Sequence, residues 1–375
     1  MRYLPQRRWT IAILGTRGIP NNYGGFEQCA EIISTYMIQK GHQVTVYNPS
    51  DHFFKGEVYK NVKIQRIFSN EKNLLFFNVF IFDFLSLLHA VFNGYDIILE
   101  LGYHPASLFY FLKRLSRAKI ITNFAGMEWK RSKWSGSTQK LIRLCERIAV
   151  KKSDAIIADN VGIQAYIKSE YNAGSFFSAY GAELFESPDS QILQNYSVEK
   201  ENYFMMMARF QKDNNFEMVL DGYALSGSEK PMLVIGNHHN EYGSYLKKRY
   251  KLNDNIKFIG GIYNYPILCS LRWYADIYFH GHSCGGTNPS LLEAMASNAF
   301  IAAHDNQFNR AVLGPHALFF DGPETVSSII KTQHGDYRKK IISANKIKVK
   351  EEYNWDKICN EYLQIFNQVS GTEIN

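Results

Sequence analysis

Short apolar runs alternate with amphipathic stretches along this chain of 375 residues. The apolar runs are rich in β-branched and aromatic residues and predict buried strands, while the stretches between them have helical spacing. Alternating strands and helices predict an α/β fold, in which helices cover both faces of parallel sheets. The predicted strands are 10–14, 43–47, 62–67, 96–101, 119–122 and 155–158 in the first half, and 203–207, 232–235, 256–258, 277–279, 300–303 and 318–320 in the second.

A polar connection at residues 180–197 separates the two halves. We therefore expect two Rossmann-like domains, residues 1–185 and 186–375, each long enough to bury its own core. The last amphipathic stretch, residues 355–367, is expected to cross back onto the first domain.

The longest apolar run, residues 74–92, is almost long enough to span a bilayer. Asp83 near its middle disfavours spanning, so we expect a buried helix or, alternatively, a helix that docks on a membrane face. The N-terminus is too short and too polar for a signal peptide, and the five cysteines include no C-x-x-C pair. Both features predict a cytoplasmic protein without a disulfide framework or a zinc site.

The net charge of +7 is unevenly distributed. Residues 1–180 hold 23 Lys and Arg against 13 Asp and Glu (+10), and the remainder holds 19 against 22 (−3). The excess between Lys113 and Lys152 indicates an anionic partner, such as an acidic membrane, a lipid pyrophosphate or a nucleic acid. A solvated helix face is the alternative for much of 143–152. Because no nucleic-acid-binding signature is present, we expect no nucleic-acid partner.

The run at 280–295, His-Gly-His-Ser-Cys-Gly-Gly-Thr-Asn-Pro-Ser-Leu-Leu-Glu-Ala-Met, carries the clearest chemical signal. Asn288 is a suitable N-cap, and Pro289 fits the first helical position. Glycines before a helix N-terminus let free N–H groups approach an anion. Glu293, one turn later, can accept hydrogen bonds from sugar hydroxyls. The pattern indicates a nucleotide diphosphate joined to a sugar; a capped surface helix after a glycine turn is the alternative.

Other motifs follow predicted strands, where open parallel sheets bind ligands. Residues 15–18 and 23–27 follow the first strand, and residues 208–212 follow the first strand of the second half. Neither glycine loop has the G-x-G-x-x-G spacing and no P-loop is present, so an NAD-binding function is disfavoured.

Taken together, several motifs resemble the retaining family-4 glycosyltransferases with the GT-B fold, closest to the rhamnosyltransferase-like subgroup. The resemblance implies two facing Rossmann-like domains, with a nucleotide-sugar donor bound by the second and an acceptor by the first. It also implies that no metal or other cofactor is needed, since cationic side chains and a helix N-terminus hold the diphosphate. The motifs are residues 15–27, 128–134, 157–160, 180–182, 281–295 and 305–309.

On this basis we assign candidate site residues. For catalysis, Arg209 and Lys212 would stabilise the leaving diphosphate, and Glu128 would handle the acceptor hydroxyl or position the donor. A surface strand-end arginine and a buried core histidine are the alternatives for Arg209 and His282. The donor-binding candidates are Gly24, Gly25, His282, Gly285, Gly286, Thr287, Asn288, Pro289, Ser290 and Glu293, and the acceptor-binding candidates are His104, Trp129, Lys130 and Arg131.

Three positions depart from the wider family pattern. Gly285 stands where a first glutamate is usual, Asn214 stands where a lysine is usual, and Ala125 replaces an acidic residue. Lys212 is the candidate substitute for the missing lysine. With Ala125 in place of an acidic residue, the resemblance does not supply a simple acid–base assignment.

The function expected from the resemblance is transfer of a sugar, with L-rhamnose suggested by the subgroup, in bacterial surface polysaccharide synthesis. The acceptor would be a saccharide or a lipid-linked saccharide at the cytoplasmic face of the membrane. One alternative is a sugar-nucleotide epimerase on the same scaffold, which would turn over the donor without an acceptor. Another is a non-catalytic nucleotide-sugar-binding subunit, which would bind the donor without transfer or hydrolysis.

Overall fold

A computed structural model describes residues 7–22, 24–69, 75–103 and 105–371. The chain divides into two compact units. Unit 1 comprises Met1–Trp129, Ser135–Ala179 and Trp355–Asn375, and unit 2 comprises Lys130–Trp134 and Tyr180–Asn354.

Unit 1 is built on a sheet in which eight strands are described, in the order β3-β4-β2-β1-β5-β6-β7-β8. All neighbouring strands pair in parallel except β3 and β4. Except in β3, the amino ends of the strands therefore share one edge of the sheet and the carboxyl ends the other. The strands are β1 (Thr10–Leu14), β2 (Gln43–Pro49), β3 (Val58–Tyr59), β4 (Val62–Ile67), β5 (Ile97–Leu101), β6 (Lys119–Phe124), β7 (Ala155–Ala158) and β8 (Phe176–Phe177).

The C-terminal helix, Trp355–Val369, belongs to unit 1. Asn123 Nδ2 donates to Tyr362 Oη at 2.5 Å, and Trp9 Nε1 donates to Asn367 Oδ1 at 3.1 Å. Both bonds are buried, so this helix is tied to the sheet of unit 1. The other helices of the unit are α1 (Gly25–Gln39), α2 (Leu75–Phe92), α3 (Gly136–Lys152) and α4 (Val161–Tyr171), with 3₁₀ turns at Pro105–Leu115 and Glu128–Lys130.

Helix α2 contains the long apolar run. It buries Phe82, Leu87 and Ala90, and Asp83 is buried with them. Burial raises the pKa of Asp83 to about 8, and burial together with the Asp83 charge raises the pKa of Glu100 on β5 well above its usual range. Among the described helices, none has both the length and the hydropathy needed to cross a bilayer.

Unit 2 contains a parallel sheet in which six strands are described, in the order β11-β10-β9-β12-β13-β14. Its core includes Phe204, Phe216, Phe279 and Phe320. The strands are β9 (Phe204–Met207), β10 (Met232–Ile235), β11 (Ile256–Gly260), β12 (Ile277–His280), β13 (Ile301–His304) and β14 (Leu318–Phe320). The helices are α5 (Phe216–Ser226), α6 (Glu241–Arg249), α7 (Tyr265–Tyr274), α8 (Pro289–Ala296), α9 (Gln307–Leu313), α10 (Pro323–Lys331) and α11 (Gly335–Glu352).

The predicted α/β fold class with parallel sheets is confirmed. The chain passes from unit 1 to unit 2 between residues 179 and 180, a little before the expected boundary at 185. Residues 130–134 group with unit 2 although they were assigned to the first domain by sequence.

Candidate active site

The loop between β12 and α8 carries most of the donor-binding candidates. Asn288 caps α8, because its Oδ1 accepts a hydrogen bond from the Ser290 N–H at 2.9 Å. The Ser290 N–H is therefore already used. Among the described residues, none accepts a hydrogen bond from the N–H groups of Gly286 and Asn288. These two N–H groups remain for an anion at the helix N-terminus.

The backbone conformation at Gly285 favours glycine. Its φ of +134° is strained for any residue with a side chain, and no atom lies within 4 Å of the place that a Cβ would occupy. The space beside it is open. A glutamate at this position would strain the loop in the conformation seen here.

Glu293 pairs with a buried arginine that was not among the residues singled out from the sequence. Arg272 on α7 donates from Nη1 to Glu293 Oε2 at 2.9 Å, and its side chain is 0% exposed while that of Glu293 is 19% exposed. Nη2 of Arg272 also donates to the Ser290 hydroxyl, at 3.2 Å. No described residue donates to Glu293 Oε1. Oε2 of the carboxylate is therefore fixed by Arg272, and Oε1 can accept a hydrogen bond from a ligand hydroxyl.

Arg209 and Lys212 lie on the turn that follows β9. Both side chains are exposed and form no ion pair with another residue in the described part of the chain. The Arg209 carbonyl accepts hydrogen bonds from Asn214 Nδ2 at 2.6 Å and from the Gln211 N–H at 2.8 Å. Asn214, at the usual lysine position, is buried and shapes this turn. Whether Lys212 takes the place of the missing lysine, as the resemblance suggests, stays a prediction.

This turn touches the loop before α8. A Cβ added to Gly281 would lie 2.2 Å from the Asn214 carbonyl oxygen, so only glycine allows the approach. The Asp213 carbonyl accepts hydrogen bonds from Ser283 N and Oγ, at 3.0 and 2.8 Å. The two strand-end segments that contain the catalytic and donor-binding candidates are thus joined.

His280 and His282 form a stacked pair at the centre of this region, with ring centroids 4.4 Å apart. Burial and the positive charges of Arg131 and Arg209 lower the pKa of His282 to about 3. Burial lowers the pKa of His280 well below its usual range, and the neighbouring His282 adds to the effect. Both rings are neutral at physiological pH, so His282 can give a ligand a hydrogen bond but no charge.

The Asp305–Asn309 motif supports the same loop. Asn306 Nδ2 and Asn309 Nδ2 both donate to the His282 carbonyl, each at 3.0 Å. The motif therefore acts through the backbone of the loop.

Lys130 and Arg131 differ from their sequence-based assignment as N-terminal acceptor-binding residues. They group with unit 2. Arg131 Nη1 lies 3.6 Å from Asp213 Oδ2, and Ser132 Oγ donates to Asp213 Oδ1 at 2.8 Å. Arg131 thus lies near the loop before α8, and acceptor binding by this residue stays a prediction.

In unit 1, the glycine loop after β1 is fixed by Glu27. Its Oε1 accepts a hydrogen bond from the Arg17 N–H at 2.8 Å, and the side chain is buried. Gly24 is the N-cap of α1 and Gly25 its first residue. A Cβ at Gly24 would lie 3.0 Å from Glu27 Oε2, so this glycine stands close to a buried carboxylate.

Glu128 and Trp129 follow β6 and are half-buried. The Glu128 N–H donates to Tyr103 Oη at 2.6 Å, and Tyr103 Oη donates to the Gly126 carbonyl at 2.8 Å. The Arg143 guanidinium lies 4.7 Å from the Trp129 ring centroid. One face of this ring is therefore covered, and stacking on a sugar would need the other face. His104 lies outside the described residues.

Known proteins are similar to both units. Residues 8–183 match the model of a "Domain of unknown function (DUF1972)", and residues 189–347 match the model of "Glycosyl transferases group 1". An uncharacterized glycosyltransferase of Methanocaldococcus jannaschii is 24% identical over 336 residues, covering 84% of this chain and 82% of the relative.

Solved structures share the fold at low sequence identity. A sucrose-phosphate synthase of Thermosynechococcus elongatus has a TM-score of 0.81 at 15% identity and covers 98% of this chain and 100% of its own. HepE of Anabaena, solved with UDP and glucose, has a TM-score of 0.76 at 15% identity and covers 96% and 100%.

The two parallel-sheet Rossmann-like domains therefore form the GT-B fold. Within that class, the family model over the second domain and the archaeal relative make the chain similar to glycosyltransferases of the group 1 type.

Proposed function

We propose that this chain transfers a sugar from a nucleotide diphosphate to a saccharide or lipid-linked saccharide acceptor, with retention of the anomeric configuration. The carrying observation is the contact between the turn after β9 and the loop before α8. Because of that contact, the positive charge of Arg209 acts on His282. His282 lies on the same loop as the N–H groups of Gly286 and Asn288.

The main catalytic contribution would be electrostatic. As the glycosidic bond breaks, negative charge develops on the leaving diphosphate, and preorganised donors lower the barrier most where charge develops. Arg209 would hold two phosphate oxygens through its planar guanidinium, and Lys212 would add a point charge. The N–H groups of Gly286 and Asn288 would complete the cradle. In this proposal these groups neutralise the diphosphate charge in place of a metal ion, and no other cofactor is required.

The remaining candidates are assigned by what each can offer. Glu293 Oε1 would accept a hydrogen bond from a ribose hydroxyl, because Oε2 already accepts one from Arg272. His282 would offer a neutral nitrogen to the donor sugar or a phosphate. Glu128 would handle the acceptor hydroxyl, with Trp129 as a stacking surface beside it.

The donor class is supported by HepE, whose solved complexes include UDP, glucose and UDP-glucose. We propose L-rhamnose as the sugar from the subgroup resemblance, and surface polysaccharide synthesis at the cytoplasmic face of a membrane as the setting. The proposed partners do not include a nucleic acid.

A thermal-shift panel of dTDP-, UDP- and GDP-sugars tests the donor assignment, because a ligand that binds only the folded state raises its midpoint by mass action. The matching nucleoside monophosphates serve as controls. We expect at least one nucleotide sugar to raise the midpoint more than its monophosphate does, and no shift with any of them would contradict the proposal.

The reaction itself is tested with the donor that binds. Incubation with saccharide acceptors, followed by NMR of the product, should show a new glycosidic bond with the donor's anomeric configuration. Turnover of the donor to its epimer without an acceptor would instead identify an epimerase. Binding without transfer or hydrolysis would identify a sensor or scaffold.

A further inference from the structure

The amino ends of the strands in unit 1 carry a concentration of positive charge. Four segments reach this edge of the sheet: residues 7–9 before β1, 92–96 before β5, 113–119 at the start of β6 and 151–154 before β7. Together they hold eight Lys and Arg against two Asp, a net charge of +6, while the whole chain has +7. We call these four segments the amino-edge surface.

A cleft of about 480 Å³ opens on the amino-edge surface. Its lining includes the cationic residues Arg7, Arg117 and Lys119 and the apolar residues Phe92 and Leu115. Phe92 is 65% exposed and Leu115 is 61% exposed. Large apolar side chains therefore project from a strongly basic surface around one concave site.

The two acidic residues of this surface already have cationic neighbours. Asp96 Oδ1 lies 3.5 Å from Arg7 Nη2. Asp154 Oδ2 lies 3.3 Å from Lys113 Nζ, and its Oδ1 lies 3.9 Å from Lys119 Nζ. Arg117 has no ion pair with any described residue. The surplus positive charge is therefore available to an external anion.

We propose that the amino-edge surface docks on an anionic lipid bilayer, with a phosphate headgroup in the cleft and Phe92 and Leu115 in the interfacial region. Basic residues are drawn to anionic headgroups, and apolar side chains beside them add burial in the same interface. A nucleic acid would use the charge but would not bury the aliphatic Leu115 side chain. This surface gives a location to the membrane contact of the proposed function, but its binding does not depend on sugar transfer.

Vesicle sedimentation of the full chain tests the charge. We expect binding to phosphatidylcholine vesicles that contain phosphatidylglycerol, weaker binding at high salt, and little binding to phosphatidylcholine alone. The double variant Arg117→Gln/Lys119→Gln should bind about 25-fold more weakly, at roughly fivefold for each cation near the bilayer. The control Lys247→Gln/Lys248→Gln, on α6 of unit 2, removes the same charge and should bind as the parent does.

The apolar contribution is tested by Phe92→Ser/Leu115→Ser, which we expect to weaken vesicle binding by about tenfold or more. Leu252→Ser, at an 89% exposed position in unit 2, is the matched control. Equal binding by the edge variants and their controls would overturn the proposal. So would vesicle binding that is insensitive to the serine pair and displaced by a DNA fragment, because that result would indicate a nucleic-acid surface.

The two proposals fail separately. Arg117→Gln/Lys119→Gln should keep parental transfer to a soluble acceptor, since the cleft lies at the opposite sheet edge from the loops that follow β1 and β6. A parent chain that binds vesicles but transfers no sugar would contradict the proposed function alone. Sugar transfer by a parent chain that does not bind anionic vesicles would contradict the docking proposal alone.

Discussion

Arg272 donates a hydrogen bond to Glu293 from a side chain that is completely buried. Removing the arginine would leave the Glu293 carboxylate without its cation and the Ser290 hydroxyl with one partner fewer. Truncating one member of a buried pair typically costs about 3–5 kcal/mol.

We therefore expect Arg272→Met to lower the free energy of unfolding by about 3 kcal/mol, measured by urea denaturation. Arg249→Met is the control, because Arg249 pairs with Asp221 on an exposed helix surface. Exposed pairs contribute about 0–1 kcal/mol. Similar losses in both variants would show that the Arg272–Glu293 contact has no special role in stability.

Arg209 is expected to act on the reaction and not on the fold. Its side chain is exposed and has no ion pair in the described structure. Arg209→Ala should lower kcat by about 10²–10³-fold, the usual loss when one preorganised donor is removed. The melting temperature should stay within a degree or two of the parent. Arg209→Lys should recover part of the rate, because it restores charge without the planar fork. Near-parental turnover in Arg209→Ala would exclude Arg209 from the catalytic machinery.

Tyr103 positions Glu128 through the Glu128 N–H. Tyr103→Phe removes this acceptor and the donor to the Gly126 carbonyl, so the loop that carries Glu128 should lose its fixed conformation. We expect a fall in kcat of about tenfold, equivalent to 1.36 kcal/mol, with unchanged donor affinity in calorimetry. Tyr110→Phe, which loses a hydrogen bond to Thr122 in the same unit, is the control. If both variants lose activity equally, the effect is structural and the positioning role is excluded.

Asp83 predicts an unusual pH dependence of stability. Burial raises its folded-state pKa from 3.8 to about 8. Because the folded state keeps the proton that the unfolded state releases, stability should fall as pH rises from about 4 to 8. Glu100 adds to this trend in the same direction.

Denaturation curves across this pH range should therefore show a smaller decline in Asp83→Asn than in the parent. Asp305 gives a contrast of opposite sign, because its hydrogen bonds with Arg310 lower its pKa and its contribution is lost as pH falls. A parallel decline in Asp83→Asn and the parent would mean that Asp83 titrates normally in the fold.

The sequence predicted the strands well where the chain is regular. The strands at 10–14, 62–67 and 155–158 have the predicted bounds, because apolar runs between polar turns determine them locally. The strands β3 and β8 were missed, since two residues cannot show a period.

At the site, the sequence predicted the loop before α8 but not the residues that hold it in place, Arg272 and Asp213. Arg272 lies on α7 next to the buried Leu268 and Leu271, and a cation among apolar helix positions was the available signal. Asp213 gave no signal, because its role depends on hydrogen bonds to Ser132 and Ser283, which are distant in sequence. Such pairings arise only when two strand ends meet.

The parallel direction of the unit 1 strands separates its two functional edges. The five residues of β5 span about 17 Å at 3.3 Å per residue. With the amino ends resting on headgroups and the strands upright, the turn that carries Glu128 would stand about that far above the lipid. A lipid's first sugar would be out of reach, so the chain would extend glycans whose growing tip already projects well into the aqueous phase.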